Sequence, residues 1–234
     1  MEFLSPAWLS ALTAIILIDL VLAGDNAIVI ALAARRLPPQ LQRKAIVCGT
    51  VGAIVVRAAM TVGVVWLLQI PGLMLVGGLG LVWVAYKLIV PGESAAHGSH
   101  GGAAAGSFWA AMRTIVVADA LMGVDNVLGV AGAAHGNIDL VVIGLAISVP
   151  IVVWGSTLVL KLVERFPAII YAGAAVLAYT AGHMIVSEPL LDAVYDPNRV
   201  ARLATYAVIV AGVLAAGWWA AQRTRIAEQP RLAD

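Results

Sequence analysis

At 234 residues the chain is long enough to bury a substantial core, yet 62% of it is hydrophobic and only 12% charged, about half the charged fraction of an ordinary soluble domain. Together with a mean hydropathy of +0.98, this excludes a water-soluble globule and makes the lipid bilayer the solvent. A formal charge of +1 with no basic-aromatic patch gives no sign of a nucleic-acid partner, and a single cysteine, Cys48, excludes a disulfide framework or a thiolate metal cluster.

Uninterrupted runs of about twenty apolar residues mark membrane-spanning helices, and they predict an all-α polytopic protein with seven spans. The first runs from Pro6 to Ala34. It follows Met1-Glu2-Phe3-Leu4, which lacks a basic n-region, and no small-residue cleavage site precedes Asp19, so it reads as a retained span rather than a signal peptide. The second, Lys44 to Leu68, carries Arg57 in its middle, and the third is Pro71 to Val90. Residues 92–106 are rich in Gly, Ala and Ser and hold His97 and His100, which reads as a flexible connection dividing the chain. Two imidazoles alone do not make a closed metal site. The later spans are Ser107 to Ala134, Ile138 to Val163 with Pro150 and its neighbours Ser148, Ser156 and Thr157, Ala168 to Ser187, and Leu203 to Gln222 with Trp218 and Trp219 suited to the lipid interface. Ser148, Ser156 and Thr157 are expected to re-satisfy backbone groups freed by a kink at Pro150.

Basic residues set the orientation. Arg35, Arg36, Arg43, Lys44, Lys87, Arg113, Lys161, Arg165, Arg223, Arg225 and Arg231 fall on one side, whereas the other has only Arg199 and Arg202, offset by Glu188, Asp192 and Asp196. The expected arrangement is a multi-pass protein of the cell's plasma (inner) membrane with its N-terminus outside and its C-terminus in the cytoplasm.

The chain contains an internal repeat. Asp19-Leu-Val-Leu-Ala-Gly-Asp25-Asn26 in the first span matches Asp119-Ala-Leu-Met-Gly-Val-Asp125-Asn126 in the fourth at an offset of 100, and Pro71, Gly77, Leu81 and Lys87 match Pro167, Gly173, Leu177 and His183. Residues 1–91 thus form one repeat and 107–190 the other, with 191–234 comprising a peripheral seventh helix and the tail. Three spans per copy is an odd number, so the second copy enters from the opposite face. Inverted repeats of this kind build secondary transporters, which place the substrate near the midplane at the repeat interface.

Only four acidic residues lie deep in apolar segments, Asp19, Asp25, Asp119 and Asp125, and all belong to the repeated motif. Each costs about 2.5 to 3.5 kcal/mol to insert, so four oppose insertion by roughly 10 kcal/mol if simply added. A bound cation would neutralise them. In an unbroken helix Asp19 and Asp25 stand about 9 Å apart along the axis and about 240° apart around it, which predicts a break near Gly24 and, more weakly, near Gly123. Asp and Asn side chains with freed carbonyls would give the all-oxygen shell that hard divalent cations prefer. Met122 would add a soft sulfur, although ordinary packing suits it better. The duller reading, in which Asp and Asn only bridge helices by hydrogen bonds, accounts poorly for two symmetric sets. Arg57, with no basic match in the other half, is expected to serve as a counter-charge to a motif carboxylate; Lys87 is expected to snorkel, and His183 is a candidate for proton exchange.

The segments Asp19 to Ala31 and Ala118 to Gly132 resemble the paired motifs of the TerC family, in its YjbE-type branch, within the wider LysE-type transporter group. The resemblance covers the first six spans. It implies a manganese exporter in which Asp25, Asn26, Asp125 and Asn126 bind Mn2+ or another divalent cation as transported substrate, with Asp19 and Asp119 accessory. No enzyme activity or prosthetic group is implied, and either a monomer or a homo-oligomer is compatible. Gly123-Val124 stands where a Ser is expected before the second Asp-Asn pair, which removes a hydroxyl ligand. Two rivals are an intramembrane aspartyl protease, which would need one carboxylate dyad and no Asn partners, and a non-transporting membrane partner that supports metal loading of secreted proteins.

Overall fold

The structure is a computed structural model that describes residues 4–67, 69–90, 102–134 and 137–228; within these, the side chains of 21–23, 64–65, 102–106, 125, 128–129, 131 and 224–228 fall outside the description. The segment expected to be a linker, with His97 and His100, lies outside the described residues. All regular structure among the described residues is helical: α1 Pro6–Ala34, α2 Pro39–Val62, α3 Val64–Leu67, α4 Leu73–Ile89, α5 Gly102–Ala134, α6 Ile138–Arg165, α7 Ile169–Val186, α8 Asp192–Tyr195 and α9 Arg199–Glu228.

Among the described residues five helices are long and apolar enough to cross a bilayer, and α1 makes a sixth when counted through a bend of 46° between Pro6–Leu20 and Gly24–Ala34. The bend falls beside the break expected at Gly24, but helical structure continues through it. The third expected span is shorter than its hydropathy implied. α4 has 17 residues, about 25 Å at 1.5 Å per residue, because Pro71 and Gly72 belong to the turn before it and Val90 caps its end, while the expected second span divides into α2 and the short α3. Large apolar side chains such as Trp66, Trp83, Trp154 and Val208 lie exposed on the outside of the bundle, a surface that lipid covers in a membrane protein.

Local chemistry sets the helix ends. Ser5 caps α1 by accepting from the Trp8 amide at 3.2 Å, with Pro6 at the first helical position. At the other end of α1, Arg35 donates to the Leu88 carbonyl at 2.8 Å and Arg36 to that of Val90, placing two cations at the C-terminus of α4, where the helix dipole favours them. α6 runs unbroken through Pro150. Its hydroxyls do not perform the repair expected of them. Pro150 cannot donate to the Ala146 carbonyl, whereas Ser148 donates to Gly144 and Leu145, Ser156 to Val152 and Thr157 to Val153.

The helices pair across the two halves of the chain. α1 packs principally on α6, α2 on α5 and α4 on α7, while contacts within either half are sparse. The first two pairs are parallel and rest on matching knobs. A Cβ on Gly144 would meet Ile15 Cγ2 at 2.5 Å, and one on Gly49 would meet Ile115 Cδ1 at 2.8 Å, so only glycine permits these approaches. Ile15 and Ile115 stand at the repeat offset of 100. α1 and α5 cross antiparallel: Trp8, Ile15, Val130 and Ala134 form a core at one end, and Ile30, Ala34, Ala111 and Ile115 form another at the end that holds Arg35. A third cluster between them includes Leu81 and Leu177, both fully buried. The outermost helix, α9, leans on α7 and α4 through Tyr206 against Gly182 and Ile89 against Gly217, and leaves Val200, Val208, Trp218 and Trp219 exposed.

Candidate ion site at the crossing of α1 and α5

The repeated carboxylates are carried to the middle of the bundle by the knobs below them. Ile15 and Ile115 each lie one turn before a motif aspartate, so seating them against Gly144 and Gly49 buries Asp19 and Asp119, which are 3% and 8% exposed. Arg57 comes from α2, 4% exposed, and donates from Nη1 to Asp19 Oδ1 and from Nη2 to Asp119 Oδ1. A single guanidinium therefore joins the two copies of the motif. A buried charge pair of this kind survives only with good geometry, since removing one partner strands the other at a cost of about 3 to 5 kcal/mol.

Two atoms of this trio, Asp119 Oδ2 and Arg57 Nε, are buried without a hydrogen-bond partner among the described residues, and so are Asn26 Oδ1, Asn126 Nδ2 and Thr50 Oγ1 further along the same three helices. Orphaned buried groups are rare enough to point to water or an ion. Asp25 is half-buried beside the bend, and its carboxylate accepts from the Asn26 amide at 2.9 Å, a donor that an unbent helix assigns to the Leu22 carbonyl. Asp25 also lies within electrostatic reach of Arg57 and Asp119. Among the described residues no group of three His, Cys, Asp or Glu side chains converges to hold a metal; the oxygens that meet at Arg57 are those of Asp19 and Asp119.

Arg57 thus meets Asp19 and Asp119, which sequence analysis treated as accessory, rather than the Asp-Asn pairs. The side chain of Asp125 lies outside the described residues. Since α1 and α5 cross antiparallel with Asp19 level with Asp119, the backbone register sets Asp25-Asn26 about 9 Å to one side of the trio and Asp125-Asn126 about 9 Å to the other before the bend is considered. Met122 is buried in the central apolar cluster and serves packing. His183 and Lys87 are exposed near helix ends, and Lys87 Nζ lies 4.7 Å from the centre of the Trp83 ring.

Two residues of the region escaped the sequence reading. Thr50 and Thr61 flank Arg57 at spacings of seven and four, one stripe of a helix, and both are buried. That periodicity was available as a signal. Glu188 is 2% exposed. Its carboxylate accepts from the amides of Gly72, Met74 and Leu75 at 3.0, 3.1 and 3.2 Å, capping α4, whose own N-cap, Gly72, has φ of 81° and no side chain to offer. A cleft of about 230 Å³ opens beside this cap, lined by Leu67, Ile70, Met74, Val124, Glu188 and Leu190 among others. Val124 places the cleft one residue from Asp125.

A lipid-facing helical bundle with a buried, charged centre built from duplicated carboxylates defines a polytopic membrane protein with an internal polar site. The chain belongs to the Integral membrane protein TerC family, whose model matches residues 4–225. It is 45% identical over 185 residues to the uncharacterized membrane protein YjbE of Bacillus subtilis (strain 168), covering 79% of this chain and 83% of the relative. It is also 26% identical over 181 residues to the inner membrane protein YgdQ of Escherichia coli (strain K12), covering 70% of this chain and 74% of that one. The inner membrane protein YoaE of the same strain is 25% identical over 187 residues, 73% of this chain but 36% of that longer protein. No solved structure matches.

Proposed function

We propose that this protein is a transporter that exports a divalent metal cation, Mn2+ foremost, from the cytoplasm through the Asp/Asn site between its two repeats. The observation that carries the proposal is the meeting of two repeat-equivalent carboxylates, Asp19 and Asp119, at the buried crossing of α1 and α5, with an unpartnered carboxylate oxygen on Asp119 and an unpartnered amide oxygen on Asn26 further along α1. Carboxylate and amide oxygens suit hard divalent cations, and manganese follows from the family resemblance.

In this reading the chain crosses the plasma membrane seven times, with α4 as its shortest span, the N-terminus outside and the C-terminus in the cytoplasm. The inverted repeat is supported by the packing. Exchanging α1, α2 and α4 with α5, α6 and α7 maps the principal helix pairs onto themselves, and Pro71 and Pro167 each stand two residues before the third helix of their half. Asp25-Asn26 then faces the cytoplasmic approach and Asp125-Asn126 the external one, where the cleft beside Val124 gives a way out.

The test is flux from liposomes. Purified protein should move Mn2+ down its gradient faster than protein-free vesicles, with Mg2+ and Ca2+ measured as competitors. Vesicles that hold folded protein and stay impermeable to all three ions would overturn the proposal and favour a non-transporting membrane partner.

A further inference from the structure

Among the charged residues of the site, Arg57 differs from the four aspartates in having no counterpart. The paired knobs fix the correspondence between halves: Ile15 seated on Gly144 answers Ile115 seated on Gly49, so α6 follows α2 at an offset of 95, and the position equivalent to Arg57 is Val152, buried and apolar. The carboxylates are duplicated and the guanidinium is not. A clamp whose purpose was purely structural would be expected once per repeat, on each aspartate. Here one cation lies between both.

We propose that Arg57 is a resident substitute for the transported ion: its guanidinium occupies the Asp19–Asp119 pair when no ion is there, and it must withdraw for a divalent cation to be held. This rests on the transport reading above. Two carboxylates and one guanidinium leave one negative charge uncompensated. A divalent ion on the same pair brings the sum to neutrality without Arg57 and to an excess of positive charge with it. Arginine does not lose its proton in proteins, so the conflict is resolved by movement. Asp25, within electrostatic reach of Arg57, offers the displaced guanidinium another carboxylate. Asp119 Oδ2 and Arg57 Nε are buried and unpartnered among the described residues, so the contacts between them saturate neither the carboxylate nor the guanidinium. The substitute cation lets the ion-free protein reorient with one of its two carboxylate charges compensated, a step that bare paired carboxylates would oppose more strongly.

Removing a resident competitor strengthens binding, whereas removing a structural brace does not. Calorimetric titration of purified protein with Mn2+ should therefore show Arg57→Gln binding at least tenfold more tightly than the parent. In liposomes the variant should keep Mn2+-for-Mn2+ exchange and lose at least tenfold in net efflux into Mn2+-free medium. Affinity equal to or weaker than the parent's, or net efflux at the parental rate, would overturn the inference. If Arg57→Gln does not fold, Arg57→Lys keeps the charge but cannot span two carboxylates, and it should bind about threefold more tightly; unchanged or weaker binding overturns the inference equally. A parent protein that neither binds nor moves Mn2+ would instead sink the transport reading itself.

Discussion

Replacing Glu188 with alanine removes a buried carboxylate that the amides of the α4 N-cap, Gly72, and of Met74 and Leu75 in its first turn donate to, at 3.0 to 3.2 Å. Loss of a helix cap costs about 0.5 to 2 kcal/mol, and loss of a favourable charge at a partly buried helix N-terminus up to about 2 kcal/mol more. Stranding several buried donors adds about 1 to 3 kcal/mol. Some of these terms count the same bonds, so about 4 kcal/mol is the expected loss, falling on the junction that ties the end of α7 to the start of α4. For a chain of this size, each kcal/mol moves a melting midpoint by about 2 to 4 °C, so Glu188→Ala should melt about 10 °C below the parent in detergent. Glu188→Gln keeps an acceptor oxygen and the shape but not the charge, and should lose about half as much. The measurement is thermal denaturation followed by size-exclusion fluorescence. A Glu188→Ala midpoint within about 1 °C of the parent would show that the cap does not hold the α4–α7 contact together.

Asp25→Asn and Asp125→Asn should each abolish protection of cells against excess Mn2+ while leaving membrane-inserted protein at parental levels, because neutralising a buried carboxylate lowers its insertion cost. Protection assays with parallel immunoblots of membranes check this, and two protective variants would reduce the Asp-Asn pairs to helix contacts. Single cysteines placed between Arg35 and Lys44, in a background with Cys48 replaced, should react with an impermeant thiol reagent only after the cell is opened. Labelling of intact cells would reverse the topology.

The repeated motif, its burial and the arrival of a lone arginine in the bilayer were legible because each is a departure from apolar composition, and a charge in a spanning segment carries its own signal. Which carboxylates that arginine would meet was not legible. The answer depends on register between helices, and register is set by Ile15 on Gly144 and Ile115 on Gly49, residues that look like ordinary span composition until their partners are known. Hydropathy likewise located the second and third spans but not their ends, because α3 and the residues flanking α4 are as apolar as the helices beside them. Glu188 was read as a loop acid balancing Arg199 and Arg202. Its role as the cap of a distant helix is a long-range contact that no local pattern encodes.

The cross-paired helices also set a timetable for the chain's own making. α1 leaves the ribosome with Asp19 in it, and the arginine that compensates that charge follows 38 residues later. Its principal packing partner, α6, begins only at Ile138, a hundred residues beyond the end of α1, which is about 5 to 20 s of synthesis at ordinary rates. Through that interval α1 waits in the insertion machinery or the lipid without its principal partner. A nascent chain halted before α6 is therefore an orphan for the cell's proteases, and the late helices decide whether the early ones were worth inserting.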